Sequence, residues 1–245
     1  MSTRLDGRHA LVTGSTDGIG VAIAHALADE GARVVVSGRN VERGERVAAA
    51  IADQGGDARF VAADLSSRAG VQALARSAGT VDILVNNAAM LIPSRPTAEI
   101  PEELLDAALA TNVKAAFLLT GLLAPAMAAR GGGAIVNVGS INGLIGRAHS
   151  ALYSATKAAV HSLTKSWAAE YGPSGVRVNT VAPGPTLTEK TSQVRELLEQ
   201  MVQRAPAQRL STPEEVAAAV VFLAGDGAAN IHGSTLSVDG GLAGI

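Results

Sequence analysis

The stretch Ala10-Leu11-Val12-Thr13-Gly14-Ser15-Thr16-Asp17-Gly18-Ile19-Gly20 runs from a short apolar segment through a glycine cluster into an Ala-rich segment. It reads as a strand, a tight turn and the first turn of a helix. Glycines at such a turn accept backbone conformations closed to other residues. They also let backbone N–H groups approach a pyrophosphate at the helix N-terminus. A glycine cluster alone marks an ordinary turn; the strand–turn–helix setting makes this one a candidate nucleotide site. Its members are Gly14, Ser15, Thr16, Asp17, Gly18, Ile19 and Gly20.

The same alternation continues outward. Apolar runs at 10–12, 33–37, 58–62, 83–86, 133–138, 176–181 and 234–238 read as strands. Helical stretches at 19–30, 41–54, 67–78, 101–129, 151–171 and 213–224 lie between them. Near-continuous apolar strands separated by helices predict an α/β fold, a doubly wound parallel sheet of seven strands covered on both faces. Ligands then belong at the carboxyl ends of the strands. No linker, repeat or low-complexity segment interrupts the pattern, so residues 1–245 are expected to form one domain.

Composition excludes several function classes. With no cysteine, disulfides, thiol catalysis and thiolate metal sites are ruled out. The five histidines form no metal-binding pair, so no metal is expected. Aromatics at 2% and a net charge of −2 offer neither stacking platforms nor a basic footprint for nucleic acid. The N-terminal Met1-Ser2-Thr3-Arg4-Leu5-Asp6 has no signal-type apolar core. The longest apolar stretch, 115–129, is shorter than the roughly 20 residues a bilayer needs. A cytoplasmic protein without membrane partners is the expectation.

Chemistry enters at Tyr153-Ser154-Ala155-Thr156-Lys157. Residues four apart share a helix face. An ammonium one turn from a phenol would favour the phenolate and lower the Tyr pKa towards working pH. A Tyr tuned in this way exchanges a proton with an alcohol or carbonyl oxygen. Ser140, just beyond the fifth strand, is placed to hold that oxygen. The second strand ends Ser37-Gly38-Arg39, and no acidic residue occurs from Gly31 to Val41. An acidic residue there would serve the ribose of NAD(H). Gly38 leaves space instead, and Arg39 offers a fork for a 2′-phosphate. NADP(H) is therefore preferred over NAD(H), with Asp17 as the residue that counts against it. Asp64-Leu65 meets the adenine or caps a helix. Asn86 at the fourth strand end ties strands together or lines the nucleotide, and Asn112 reads as a buried amide in mid-helix.

Taken together these motifs resemble the short-chain dehydrogenase/reductase family in its single-domain branch, including its 3-oxoacyl-[acyl-carrier-protein] reductase-like members. The match rests on the glycine turn 13–20, Asp64, Asn86-Asn87-Ala88-Ala89, Asn112, Ser140, Tyr153 with Lys157, and Pro183-Gly184-Pro185-Thr186-Leu187-Thr188. The family usually has Gly where this chain has Ala89. The resemblance implies a Rossmann sheet and a catalytic tetrad of Asn112, Ser140, Tyr153 and Lys157. Asn112 would anchor a proton-supplying water, and Lys157 would also hold the nicotinamide ribose. Asn87, Ala88, Ala89, Pro183, Gly184, Thr186 and Thr188 join the cofactor site by the same resemblance.

Residues 187–212 read as a lid, with an apolar stripe at Val194, Leu197, Leu198, Met201 and Val202 serving core or substrate. Candidate substrate contacts are Leu91, Ile141, Asn142, His149 and Leu187 beside Ser140 and Tyr153, with His149 equally readable as a surface residue. The expected partner is a small carbonyl or alcohol substrate. A 3-oxoacyl thioester is one candidate, and Arg130 is read as a basic residue near the site mouth. A sugar, polyol, steroid or other small alcohol is the alternative, and a non-catalytic NADP(H)-binding protein is the reading from another class. Ala-rich helices at 101–129 and 151–171 and the tail 233–245 imply, by the same resemblance, a homotetramer, with a dimer left open.

Overall fold

The structure is a computed structural model that describes residues 5–244. Seven parallel strands form one sheet: β1 (His9–Thr13), β2 (Arg33–Gly38), β3 (Asp57–Ala62), β4 (Ile83–Asn86), β5 (Gly133–Val138), β6 (Val176–Pro183) and β7 (Thr235–Val238). Their order is β3-β2-β1-β4-β5-β6-β7. The chain reverses its winding between β1 and β4, which opens a crevice at their carboxyl ends.

The eight helices are α1 (Gly18–Asp29), α2 (Val41–Asp53), α3 (Arg68–Ala78), α4 (Glu102–Leu109), α5 (Ala115–Ala129), α6 (Ala151–Tyr171), α7 (Arg195–Val202) and α8 (Pro213–Ala224). Strand side chains alternate between faces. Ala10, Val12, Ile83 and Val85 pack with Ile23 and Leu27 of α1 and Val216 and Val220 of α8. Leu11, Leu84 and Ile135 point the other way, against Leu74 of α3, Leu119 and Met127 of α5, and Trp167 of α6. Both faces of every central strand are thus apolar, which is why the strands read as continuous runs. Each fully buried leucine contributes roughly 1.5–3 kcal/mol.

Two departures from the expected elements position the site. The helix expected over 101–129 is two helices joined by a π turn, Ala110–Lys114. The widened turn carries Asn112, and such bulges concentrate at functional sites. By length and composition alone the run Glu102–Ala129 passes for a membrane span, but Leu119, Ala124 and Met127 are buried in the core. The stripe near 194–202 forms α7. Of its apolar residues Val202 is buried, while Val194 and Leu197 are 48% and 53% exposed. Thr212 and Glu215 then form a reciprocal cap on α8, which fixes where the lid segment ends.

Candidate active site

The glycine turn fits a dinucleotide by its backbone. Gly14 and Gly18 have φ of 65° and 53°. A Cβ on Gly14 would lie 2.7 Å from the Ala88 backbone, and one on Gly20 would collide with the Gly14 carbonyl. The chain is drawn this tight by side chains. Thr13 Oγ1 accepts the N–H groups of Asn87 and Ala88, both at 3.0 Å, and Asn87 Nδ2 donates to the carbonyls of Thr13 and Gly14 at 2.9 and 3.1 Å. Ser15, expected at the cofactor, is fully buried; it donates to Val12 O and accepts Ser37 N, so it joins β1 to β2. Asp17 stands at the N-cap of α1 but makes no side-chain cap. Its carboxylate instead pairs with Arg43 at 3.1 Å and Lys190 at 2.7 Å.

Beyond the turn, Gly38, Arg39, Asp64 and Leu65 line the same cavity. A Cβ on Gly38 would fall 2.6 Å from the Thr16 side chain. Asp64 folds back on Ser66 N at 3.0 Å. The Ser66 hydrogen bonds, with a smaller contribution from Arg39, hold its carboxyl below the ordinary value. The helix cap considered for Asp64 belongs to Ser67, which accepts Gly70 N. Asn86 turns inward and ties strands together: it donates to Asn137 at 2.9 Å, Asn137 donates to Thr164 at 2.7 Å, and Thr164 meets Thr180 at 2.7 Å.

At the other end of the cavity β5 hands over to α6. Ser140 Oγ accepts Asn142 N at 3.2 Å, and Ser140 N donates to His161 Nε2 at 3.4 Å. Lys157, 3% exposed, donates to Val138 O at 2.9 Å and stands 5.7 Å from the centre of the Tyr153 ring. Burial pushes the Tyr153 phenol above its usual pKa, and the Ser140 hydrogen bond pulls it partly back. The expected lowering by Lys157 is absent here. That ammonium is turned to the Val138 carbonyl, and burial brings its own pKa down to about 8. His161 is buried, with Nδ1 unpaired. Burial, and then the charges of Lys157 and Lys165, lower its pKa to about 4.

Asn112 does not line the cavity. Its Oδ1 accepts Met90 N at 2.7 Å, and its Nδ2 donates to Met90 O and Thr156 Oγ1, both at 3.2 Å. Thr156 in turn donates to the Tyr153 carbonyl at 2.8 Å. Asn112 therefore couples the loop after β4 to the helix of Tyr153 through both ends of its amide.

One continuous cavity of about 680 Å³ joins both ends. Its walls include Ala88, Ala89, Pro183, Gly184, Thr186 and Thr188, with Ser140, Ile141, Asn142, Tyr153 and Leu91 at the far end. Two expected substrate contacts lie off this wall. His149 adopts φ 63° and offers its carbonyl to Arg95 N and Ser94 Oγ, which braces the facing loop. Leu187 N donates to Ser211 O beside the Thr186–Ser211 bridge, so it pins the base of the lid. Arg130 is displaced further still. It pairs with Asp82 and Val81 O, where β4 begins, at the N-terminal ends of the strands and away from the cavity.

Sequence reasoning did not single out His161 or Arg147. His161 follows Lys157 by one helical turn, a spacing that could have exposed it. Arg147 sits in an irregular loop, where no periodicity reports which way a side chain faces.

The sequence model described as enoyl-(acyl carrier protein) reductase matches residues 14–243. The cis-4-hydroxycyclohexanecarboxylate dehydrogenase of Sinomonas cyclohexanicum is 41% identical over 246 residues, covering 97% of each chain. The D-threitol dehydrogenase of Mycolicibacterium smegmatis is 40% identical over 247 residues, 97% of this chain and 94% of that one. A gluconate 5-dehydrogenase from Burkholderia cenocepacia J2315, solved in complex with NADP and tartrate, superposes with a TM-score of 0.93 at 35% identity, covering 100% of this chain and 98% of that one. The chain belongs to the short-chain dehydrogenase/reductase family. It is an NAD(P)-dependent oxidoreductase that acts on CH–OH groups of a small-molecule substrate.

Proposed function

We propose that the protein is an NADP(H)-linked dehydrogenase/reductase interconverting a small secondary alcohol and its ketone, with Tyr153 as the acid–base group. The observation that carries this reading is the meeting of Tyr153, Ser140 and Lys157 at the blind end of a cavity that begins at the glycine turn. A bound nicotinamide dinucleotide supplies the hydride chemistry. Tyr153 gives its proton to the carbonyl oxygen in reduction and recovers it in oxidation. Ser140 Oγ hydrogen-bonds the same oxygen, where negative charge develops. Lys157 would hold the nicotinamide ribose. With a pKa of about 8 it also exchanges protons readily near neutral pH, as a relay behind Tyr153 requires. Asn112 acts through Thr156 as a positioning residue.

Gly14, Gly18 and Gly20 would receive the pyrophosphate, Asp64 and Leu65 the adenine, and Thr186 and Thr188 the carboxamide side. Arg39 on the cavity wall supports NADP(H) over NAD(H). The objection from Asp17 is weakened because Arg43 and Lys190 already neutralise it. A substrate delivered on an acyl carrier loses support with Arg130, which lies at the N-terminal ends of the strands, away from the cavity. Relatives named for threitol and hydroxycyclohexanecarboxylate favour a small polyol or ring alcohol. Large apolar side chains left exposed, among them Phe117, Leu122, Phe222 and Leu236, favour self-association, read here as a homotetramer.

The test is NADPH oxidation on a panel of cyclic ketones, ketoses and a short 3-oxoacyl thioester, with Tyr153→Phe alongside. Turnover of a ring ketone or ketose that falls by roughly 10²–10⁴-fold in Tyr153→Phe is expected, with NADPH affinity kept. Near-normal turnover in that variant would remove Tyr153 from its role, and tight NADPH binding with no turnover anywhere would favour the non-catalytic alternative.

A further inference from the structure

We infer that the substrate carries a carboxylate and that Arg147 receives it. The inference rests on the oxidoreductase reading above and deepens it by naming the substrate class.

Four cations line the cavity: Arg39, Arg147, Lys157 and Lys190. Two are bonded within the protein, and a third lies at the nucleotide end beside Asp64. Lys157 donates to Val138 O, Lys190 pairs with Asp17, and Arg39 shares the field of Asp64. The Arg147 guanidinium has neither ion pair nor hydrogen bond among the described residues. The two acidic residues of the wall, Asp17 and Asp64, belong to the nucleotide end. Where Ser140 and Tyr153 stand, Arg147 is therefore a cation without a counter-charge.

Its loop is anchored rather than loose. Arg147 O accepts Ser150 N at 3.2 Å. Ser150 Oγ accepts from Asn142 Nδ2 at 3.2 Å and from Ser154 Oγ of α6 at 3.4 Å. The backbone at Arg147 is thus tied to the helix that carries Tyr153. The facing wall is apolar, formed by Leu91, Ile92, Pro93, Val194, Leu198 and Met201. An apolar compartment with a reactive oxygen site and a single planar cationic fork suits a compact apolar body bearing a hydroxyl or ketone and a carboxylate. Arg147 is exposed, so water satisfies its guanidinium in the free protein; a carboxylate offers it a charge-assisted, bidentate partner that a neutral substrate lacks.

The test measures binding of cyclohexanecarboxylate and of neutral cyclohexanecarboxamide to the enzyme saturated with NADP⁺, by calorimetry. Both probes lack the reacting oxygen, so the readout does not depend on turnover. The carboxylate is expected to bind at least about tenfold tighter to the native protein, the scale of one charge-assisted hydrogen bond. Arg147→Met should bring the two affinities together, and Arg147→Lys should keep part of the gap by charge without the fork. Equal affinities in the native protein, binding of neither probe, or a preference that survives Arg147→Met would each overturn the inference. In parallel, reduction of neutral 4-oxocyclohexanecarboxamide is compared between native protein and Tyr153→Phe. Turnover there that does not depend on Tyr153 would sink the acid–base reading while leaving the binding result to stand on its own.

Discussion

Ser140 and Lys157 of the cavity wall, and Thr156 and His161 of the same region, are each no more than 9% exposed, whereas Val194 and Leu197 of the lid segment are about half exposed. The first region is knit by long-range bonds: Asn112 to Met90 and Thr156, Lys157 to Val138, His161 to Ser140. The second is held by short-range bonds among Thr186, Thr188 and Thr191 and by one exposed lysine on Asp17. The difference teaches where positional precision resides. Most of the buried polar groups are partnered, His161 Nδ1 being an exception, and so many long-range bonds together leave them little choice of arrangement. A segment fastened by a surface ion pair, worth up to about 1 kcal/mol, can open at little cost.

Breaking the buried side should have the largest effect. Asn112→Ala takes away the side-chain partner of Met90 N and Met90 O and the amide donor to Thr156 Oγ1, and a loss of about 2–4 kcal/mol is expected in urea denaturation. An unchanged denaturation midpoint would show that the π turn does not depend on its amide.

A finer cut uses His161, whose folded pKa of about 4 lies below its ordinary 6.5. Between these values the unfolded chain binds more protons than the folded one, so stability rises with pH across that window and falls as pH drops from 6.5 to 4. His161→Asn should remove this part, on the order of 3 kcal/mol, from the stability difference between pH 7 and pH 4. A pH–stability curve that superposes on that of the native protein would mean the imidazole is charged in the fold.

The smallest effect belongs to the lid. Lys190→Met should shift stability by under about 1 kcal/mol and raise the KM for NADPH about two- to threefold. A tenfold or larger fall in kcat would place the lid on the same footing as the buried side.

How much could be read in the sequence follows the same division. Strands such as 83–86 and 133–138 were legible to the residue because a sheet buried on both faces makes them nearly continuous apolar runs, broken only by Asn86 and Asn137 near their carboxyl ends. Gly14, Ser140, Tyr153 and Lys157 were legible because strand ends and helical spacing fix them. The π turn was not, since one extra residue in a helix leaves no mark on an Ala-rich run. The pKa of Tyr153 was misjudged because spacing gives the distance to Lys157 but not the Val138 carbonyl that claims its ammonium. His149, Leu187 and Arg147 lie in irregular chain, where direction is set by bonds such as His149 O to Arg95 N rather than by any period.

The contact between Gly38 and Thr16 has a consequence for how the protein changes over generations. Because a Cβ at position 38 would press on a β-branched, rotationally stiff neighbour at 2.6 Å, the two sites form a one-way gate. Position 16 must shrink before position 38 can acquire a side chain, and the reverse order passes through a damaged intermediate. The cavity wall at Gly38 is thereby buffered against single substitutions. A lineage, or an engineer, wishing to alter it takes the first step at a residue that itself leaves the charge of the pocket untouched.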